Sequence, residues 1–193
     1  MRITLILTFL FLSFFAKAQN VIEWDKDYKI LLSDFESSST QIGGTNVYSL
    51  FSGSKIDFSF YMSSIEFIFT KNFNSKVNCS FNKTFASLVA PDSSNAFNLL
   101  YFSRYDFDLS ELYARKFRKR LFEEKGAFSD VSFFKPVFDE IQKEYVERNA
   151  KASTNTELGK NRVKLNELHQ EVLKELDLLS DFCKLCKPKK SKN

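Results

Sequence analysis

One stretch of the chain reads as a single long helix, and it divides the sequence into halves with different periods. Phe97, Leu100, Tyr101, Tyr105, Leu109, Leu112, Tyr113, Phe117 and Leu121 recur at three- and four-residue spacing, the period that puts side chains on one face of an α-helix. Pro91-Asp92-Ser93 supplies a start, because Asp92 or Ser93 can accept from the exposed backbone N–H groups of a first turn. Gly126 supplies a stop. Before this helix the apolar residues alternate. In residues 24–35, Trp24, Tyr28, Ile30 and Leu32 share one parity, and Gly43-Gly44 and Gly53 bracket a short strand over residues 47–51. Ile56, Phe58, Phe60 and Met62 alternate next, and Ile65, Phe67 and Phe69 resume on the other parity, which predicts a bulge or a new strand. A turn over residues 71–75 leads to a strand carrying Val77, Cys79 and Phe81. After the long helix the period stays helical. Val137, Phe138, Ile141 and Tyr145 mark a second helix over residues 136–149, with Pro136 in its first turn. Residues 150–155 read as a small, polar connection. Leu165, Leu168, Val172, Leu176 and Leu179 mark a third helix ending near Phe182. Strands followed by helices predict the α+β class: an antiparallel sheet in the N-terminal half, packed by three helices from the C-terminal half.

The N-terminus carries an export signal. Arg2 is followed by an apolar run from Ile3 to Phe15, and Ala16-Lys17-Ala18 offers small residues for signal peptidase. That run is about a dozen residues, whereas spanning a bilayer takes roughly 20. Residues 1–18 are therefore expected to be a signal peptide, residues 19–186 a single domain, and residues 187–193 a basic, disordered tail. The expected location is secreted or periplasmic, in a bacterium, with no membrane span in the mature chain. Without Arg2 and Lys17 the 28 basic residues become 26 against 24 acidic ones, so the mature chain is nearly balanced. A balanced exported chain without a basic-aromatic recognition motif argues against nucleic acid as a partner. The 23 Phe and 7 Tyr can build a substantial core.

The most informative segment lies within the long helix: Phe107-Asp108-Leu109-Ser110-Glu111-Leu112-Tyr113-Ala114-Arg115. It resembles a family of bacterial secreted proteins of uncharacterised function that are predicted zinc-dependent proteases. Their His-Glu-x-x-His helix runs into a segment of this kind. Thr156-Glu157-Leu158-Gly159 is similar to the family's Thr-x-His-Gly, and the closing helix also fits. The resemblance extends over residues 20–182, with the middle helix its specific part. In such a site two His one turn apart bind zinc and the intervening Glu acts as general base on the zinc-bound water. The aligned positions here hold Phe102 for the first His, Ser103 for the Glu, Asp106 for the second His and Leu158 for the third. Phe and Leu cannot bind zinc, and Ser103 is too weak a base. The resemblance therefore implies a degenerate member with no catalytic residue, no metal and no cofactor. Its expected function is that of a non-catalytic binding or scaffold module with an unknown protein or peptide ligand. The alternative is an active secreted metal-dependent hydrolase whose ligands lie elsewhere in the chain.

Other residues carry weaker chemistry. The one His, His169, lies on an amphipathic helix and reads as an exposed or helix-packing residue. Glu111 and Arg115 have the favourable order for an i,i+4 ion pair. Asp106 and Asp108 cannot face the same way on a helix. Arg115, Lys116, Arg118, Lys119 and Arg120 read as a solvated helix face. Cys183 and Cys186 follow a helix end, not the strand-to-helix turn used by redox enzymes. The expected structural disulfide joins Cys183 to Cys186, or Cys79 to one of them.

Overall fold

The computed structural model describes residues 20–59, 61–126 and 129–188. The expected signal peptide, Phe60 and most of the basic tail lie outside the described residues. The architecture is α+β, with strands β1 (Val21–Glu23), β2 (Gln41–Ile42), β3 (Ser49–Phe51) and β4 (Ser54–Phe58) first, and β5 (Val77–Asn82) and β6 (Ser87–Ala90) after a short helix α1 (Ser64–Phe69). Three long helices follow: α2 (Ser93–Glu124), α3 (Phe134–Asn155) and α4 (Arg162–Leu178). No helix among the described residues is long and apolar enough to cross a membrane.

The strands form two three-stranded sheets. One has the order β1-β5-β4 and is antiparallel; the other has the order β2-β6-β3, with β2 parallel and β3 antiparallel to β6. The alternation of Val77, Cys79 and Phe81 is borne out, all three being buried on β5. Ile56 pairs with Cys79 and Phe58 with Val77. The chain passes from one sheet to the other at Gly53. A Cβ there would meet Asn82 O at 2.7 Å and Ala86 Cβ at 2.9 Å, and its φ of 74° favours glycine.

Two expected strands are not strands. In residues 24–35, pairing ends at Glu23, and the chain turns where Asp25 accepts from the Asp27 N–H at 2.8 Å. The following residues wrap the buried Asp34 carboxylate, which accepts from the Tyr28 hydroxyl at 2.7 Å and the Leu31 N–H at 2.8 Å. Tyr28 is pushed up to about 12 by its burial and by that carboxylate. Residues 65–69 form helix α1, whose first turn is capped by Ser63 accepting from Glu66 N–H. Only Phe67 of the alternating trio is buried, against Phe73 and Phe134; Ile65 is 70% and Phe69 84% exposed. Period 2 here was a coincidence of spacing that the Ser cap overrode.

The helices match their signals more closely. Asp92 caps α2, accepting from Asn95 N–H at 2.8 Å. At 32 residues, α2 is about 48 Å long and forms the spine of the molecule. Every residue from Leu109 to Arg115 is buried, so the helix is enclosed on all sides by β4, β5, α3 and α4. A helix buried all round is ordinarily apolar all round; this one carries Asp106, Ser110, Glu111, Arg115 and Arg118 inside. The expected connection over residues 150–155 is instead the last part of α3. Ala150 and Ala152 are strong helix formers, Ala152 is buried, and its carbonyl accepts from Thr156 N–H at 3.0 Å.

Candidate functional site

Each buried acid of α2 is housed differently. Asp106 points toward α3 and the β3–β4 crossing. Its Oδ1 accepts from the Tyr145 hydroxyl at 2.6 Å and from the Asn149 amide, and its Oδ2 accepts from the Ser52 hydroxyl. Tyr145 and Asn149 are one turn apart on α3, so both reach the same carboxylate. All three donors are neutral. Burial pushes the Asp106 carboxyl above its ordinary value of 3.8, and the hydroxyls of Ser52 and Tyr145 only partly oppose this. Burial and the facing carboxylate likewise raise Tyr145.

Phe102, one turn before Asp106, and Leu158, from the α3–α4 connection, flank this carboxylate in a cleft of about 430 Å³. Leu50, Phe51 and Val146 add apolar surface to its walls. Leu158 is held there by a tight turn. Glu157, Leu158 and Gly159 have φ of 50°, 52° and 95°. The buried Thr156 hydroxyl donates to Ala152 O at 2.8 Å and accepts from Gly159 N–H at 3.1 Å. Gly159 is required, since a Cβ would meet Asn98 O at 2.3 Å and Phe102 Cβ at 3.2 Å. The Tyr48 hydroxyl ties the turn to the sheet side by donating to Leu158 O at 2.9 Å.

Three of the four positions aligned with the zinc-protease motif thus line one cleft, while Ser103 does not. It is fully buried inside the helix packing, and its hydroxyl finds no partner among the described residues. The donor set does not fit zinc: Asp106 is the one ligand type among the aligned positions, and both its oxygens already accept hydrogen bonds. Among the described residues no three His, Cys, Asp or Glu side chains come together as a metal-binding group.

No protein-family model, curated protein or solved structure matches this chain.

Asp108, two residues on, faces another way. It accepts from Trp24 Nε1 at 2.7 Å and pairs with His169 Nε2 at 2.6 Å. His169 is therefore a helix-packing residue with a carboxylate partner, and its ring meets Tyr105 edge-on. The two aspartates are separated, as helix geometry requires.

Glu111 is enclosed by cations. Its Oε1 accepts from Arg115 Nε at 2.9 Å, the i,i+4 pair expected from the sequence, and from Arg118 Nη1 at 2.8 Å. Arg118 also donates to Val77 O and Phe182 O, and Arg115 donates to Leu176 O. The basic cluster is accordingly not a solvated face. Arg118 is 1% exposed and Arg115 is buried, because α4 and the C-terminal segment close over that side of α2. Lys116, Lys119 and Arg120 remain partly or wholly at the surface, pairing with Glu175, Glu123 and Glu124.

The cysteines resolve to a Cys183–Cys186 disulfide and a buried free Cys79. Burial pushes the Cys79 thiol well above its ordinary value, with Glu111 adding to the rise, so it is a packing residue. The disulfide loop is fastened to the domain by Asn72 and Asn74, whose amides donate to Cys186 O. Lys184, at the start of the basic segment, pairs with Glu23 at 2.7 Å.

Ser52, Tyr145 and Asn149 are the site residues that sequence reading missed. Tyr145 was expected inward as core. Its polar end was detectable through Asn149, a polar residue four positions later on the same inward face.

Proposed function

We propose that this protein is an exported, non-catalytic binding module, built on a fold related to zinc-dependent proteases, whose cleft receives a side chain of a protein or peptide partner. The observation that carries this reading is the state of Asp106. A carboxylate with both oxygens held by neutral donors, walled by Phe102 and Leu158, is suited to recognition. Among the described residues that line the cleft, no histidine and no second carboxylate stands beside it. The apolar walls suit an apolar side chain. Beside the cleft, β3 is the terminal strand of its sheet and Phe51 is exposed, an arrangement that can take an extended peptide alongside the edge. Export is supported by the sequence of residues 1–18 and agrees with a Cys183–Cys186 disulfide.

The test is metal content and proteolysis measured together. Elemental analysis runs on the wild type and on a Cys183→Ser, Cys186→Ser double variant, because thiolates bind zinc well. The expected result is no stoichiometric zinc and no cleavage of a mixed peptide library. One zinc per chain retained in the double variant, with chelator-sensitive proteolysis, would establish the active hydrolase instead. Peptides selected for binding should lose affinity to Leu158→Asp, which places a charge in the cleft wall; unchanged binding would move the recognition surface elsewhere. N-terminal sequencing of exported material should begin at Gln19.

A further inference from the structure

The arginines of this molecule divide into two groups. Among the described residues, Arg115, Arg118, Arg120 and Arg148 each form an ion pair with a glutamate. Arg104 and Arg162 form none. These two meet at the same place, the ring of Tyr101, with guanidinium carbons 5.2 and 3.2 Å from its centroid. Arg104 comes from α2 and Arg162 from the first turn of α4, so tertiary packing brings the two charges together. Arg104 is held in position by Nε, which donates to Ile30 O at 2.8 Å, so its terminal nitrogens are not engaged by this bond. The two arginines, with Tyr101, Asn166 and His169, line a small cavity of about 70 Å³, distinct from the cleft over Asp106.

Like charges gathered without a carboxylate repel one another and raise the local positive potential. Contact with an aromatic face offsets part of that cost and gathers both guanidinium groups at one ring. No carboxylate lines this cavity among the described residues, and Asp108, which reaches His169, is already engaged by Trp24 and by that His169. Lys160, two residues before Arg162, is held separately over the Tyr48 ring, its ammonium 4.5 Å from the centroid. Two planar forks gathered at one ring match an oxyanion with several acceptor oxygens. A dianion balances both arginines, whereas a carboxylate balances one.

We infer that Arg104 and Arg162, gathered at Tyr101 beside His169, form a binding site for the phosphate group of a small ligand. The cavity accommodates the charged group while the remainder of the ligand lies outside, over the exposed start of α4. The inference does not depend on the proposed role of the cleft, and no residue is shared between the two.

Calorimetric titration of the purified protein with inorganic phosphate and with glycerol 3-phosphate tests the site, with acetate at matched ionic strength as the carboxylate control. The expected result is saturable binding of one phosphate group per chain, weakening as sodium chloride is raised. Preference for the ester over inorganic phosphate would identify an organic phosphate as the source, and the reverse a free phosphate. Arg162→Gln should weaken binding by at least about ten-fold. Arg162 is exposed, so this variant should fold normally, which its thermal midpoint checks. Arg104→Lys, which keeps the charge and removes the fork, should also weaken binding. Lys119→Gln, a half-buried cation that lines a different pocket, should leave it unchanged. No saturable binding, equal affinity for acetate, or an Arg162→Gln protein that binds like the wild type would overturn the assignment.

Discussion

Asp106 and Glu111 lie five positions apart on α2, and both are withdrawn from solvent, at 2% and 3% exposure. Glu111 is compensated by two guanidinium groups, which also satisfy backbone carbonyls of β5, α4 and the C-terminal segment. Through them it stitches three parts of the chain to the spine. Among the described residues Asp106 is met by hydroxyl and amide dipoles, and it faces a cleft. A buried charge with a full counter-charge is structural cement whose removal leaves its partners stranded. A buried carboxyl held by neutral donors can change protonation without stranding a charge, which makes its place in the molecule negotiable. The same helix thus carries a fixed centre at one point and an adjustable one little more than a turn away.

The largest expected effect comes from breaking the fixed centre. Glu111→Gln leaves Arg115 and Arg118 buried without a counter-charge and should cost about 3–5 kcal/mol, read by urea unfolding at pH 7. A loss under about 1 kcal/mol would mean that the carbonyl partners alone hold the two arginines. Next comes the cleft wall. Gly159→Ala forces a Cβ against Asn98 O and into a left-handed backbone, and should cost about 1–3 kcal/mol. It should also displace Leu158, so a parallel loss of peptide binding is expected.

A smaller effect is expected at the third acid. His169→Ala removes one of the two side-chain partners of the half-buried Asp108 and should cost about 1 kcal/mol. Trp24 fluorescence should shift, because its Nε1 shares that carboxylate.

The smallest change, and the sharpest contrast with Glu111, is Asp106→Asn. The amide oxygen still accepts from Asn149, and the hydroxyls of Ser52 and Tyr145 can reorient. Stability at pH 7 should be kept or slightly raised. The pH dependence carries the sign. The folded Asp106 carboxyl titrates above its ordinary 3.8 because burial disfavours its charge. Its contribution is therefore fully present below the unfolded value and is lost as pH rises through the folded one. Wild type minus Asp106→Asn should show stability falling as pH rises from about 4. A difference curve that rises instead would mean that the hydrogen bonds outweigh burial at Asp106.

The features readable along the chain were local in origin. The three long helices were legible because their apolar residues recur every three or four positions and because Asp92 sits where the first free N–H groups need an acceptor. The Glu111–Arg115 pair was legible because four residues make about one helical turn; a disulfide involving Cys183 or Cys186 was legible too, but the choice between Cys183–Cys186 and a bond to Cys79 was made by the fold, which buries Cys79 on β5. The tertiary structure alone decided everything that required knowing what lies opposite. It turned residues 65–69 into a helix, since alternation says which residues are apolar but not whether a sheet is there to receive them. It divided the strands between two sheets, the chain crossing from β3 to β4 at Gly53. It buried Arg115 and Arg118, which look solvated until α4 closes over them. It also brought Ser52, Tyr145 and Asn149 to Asp106, and Arg162 to Arg104. Those partners are separated by some forty to sixty residues of chain. The value of a charge or a hydroxyl depends on the dielectric and the groups around it, and for these residues that surrounding exists only once the chain has folded.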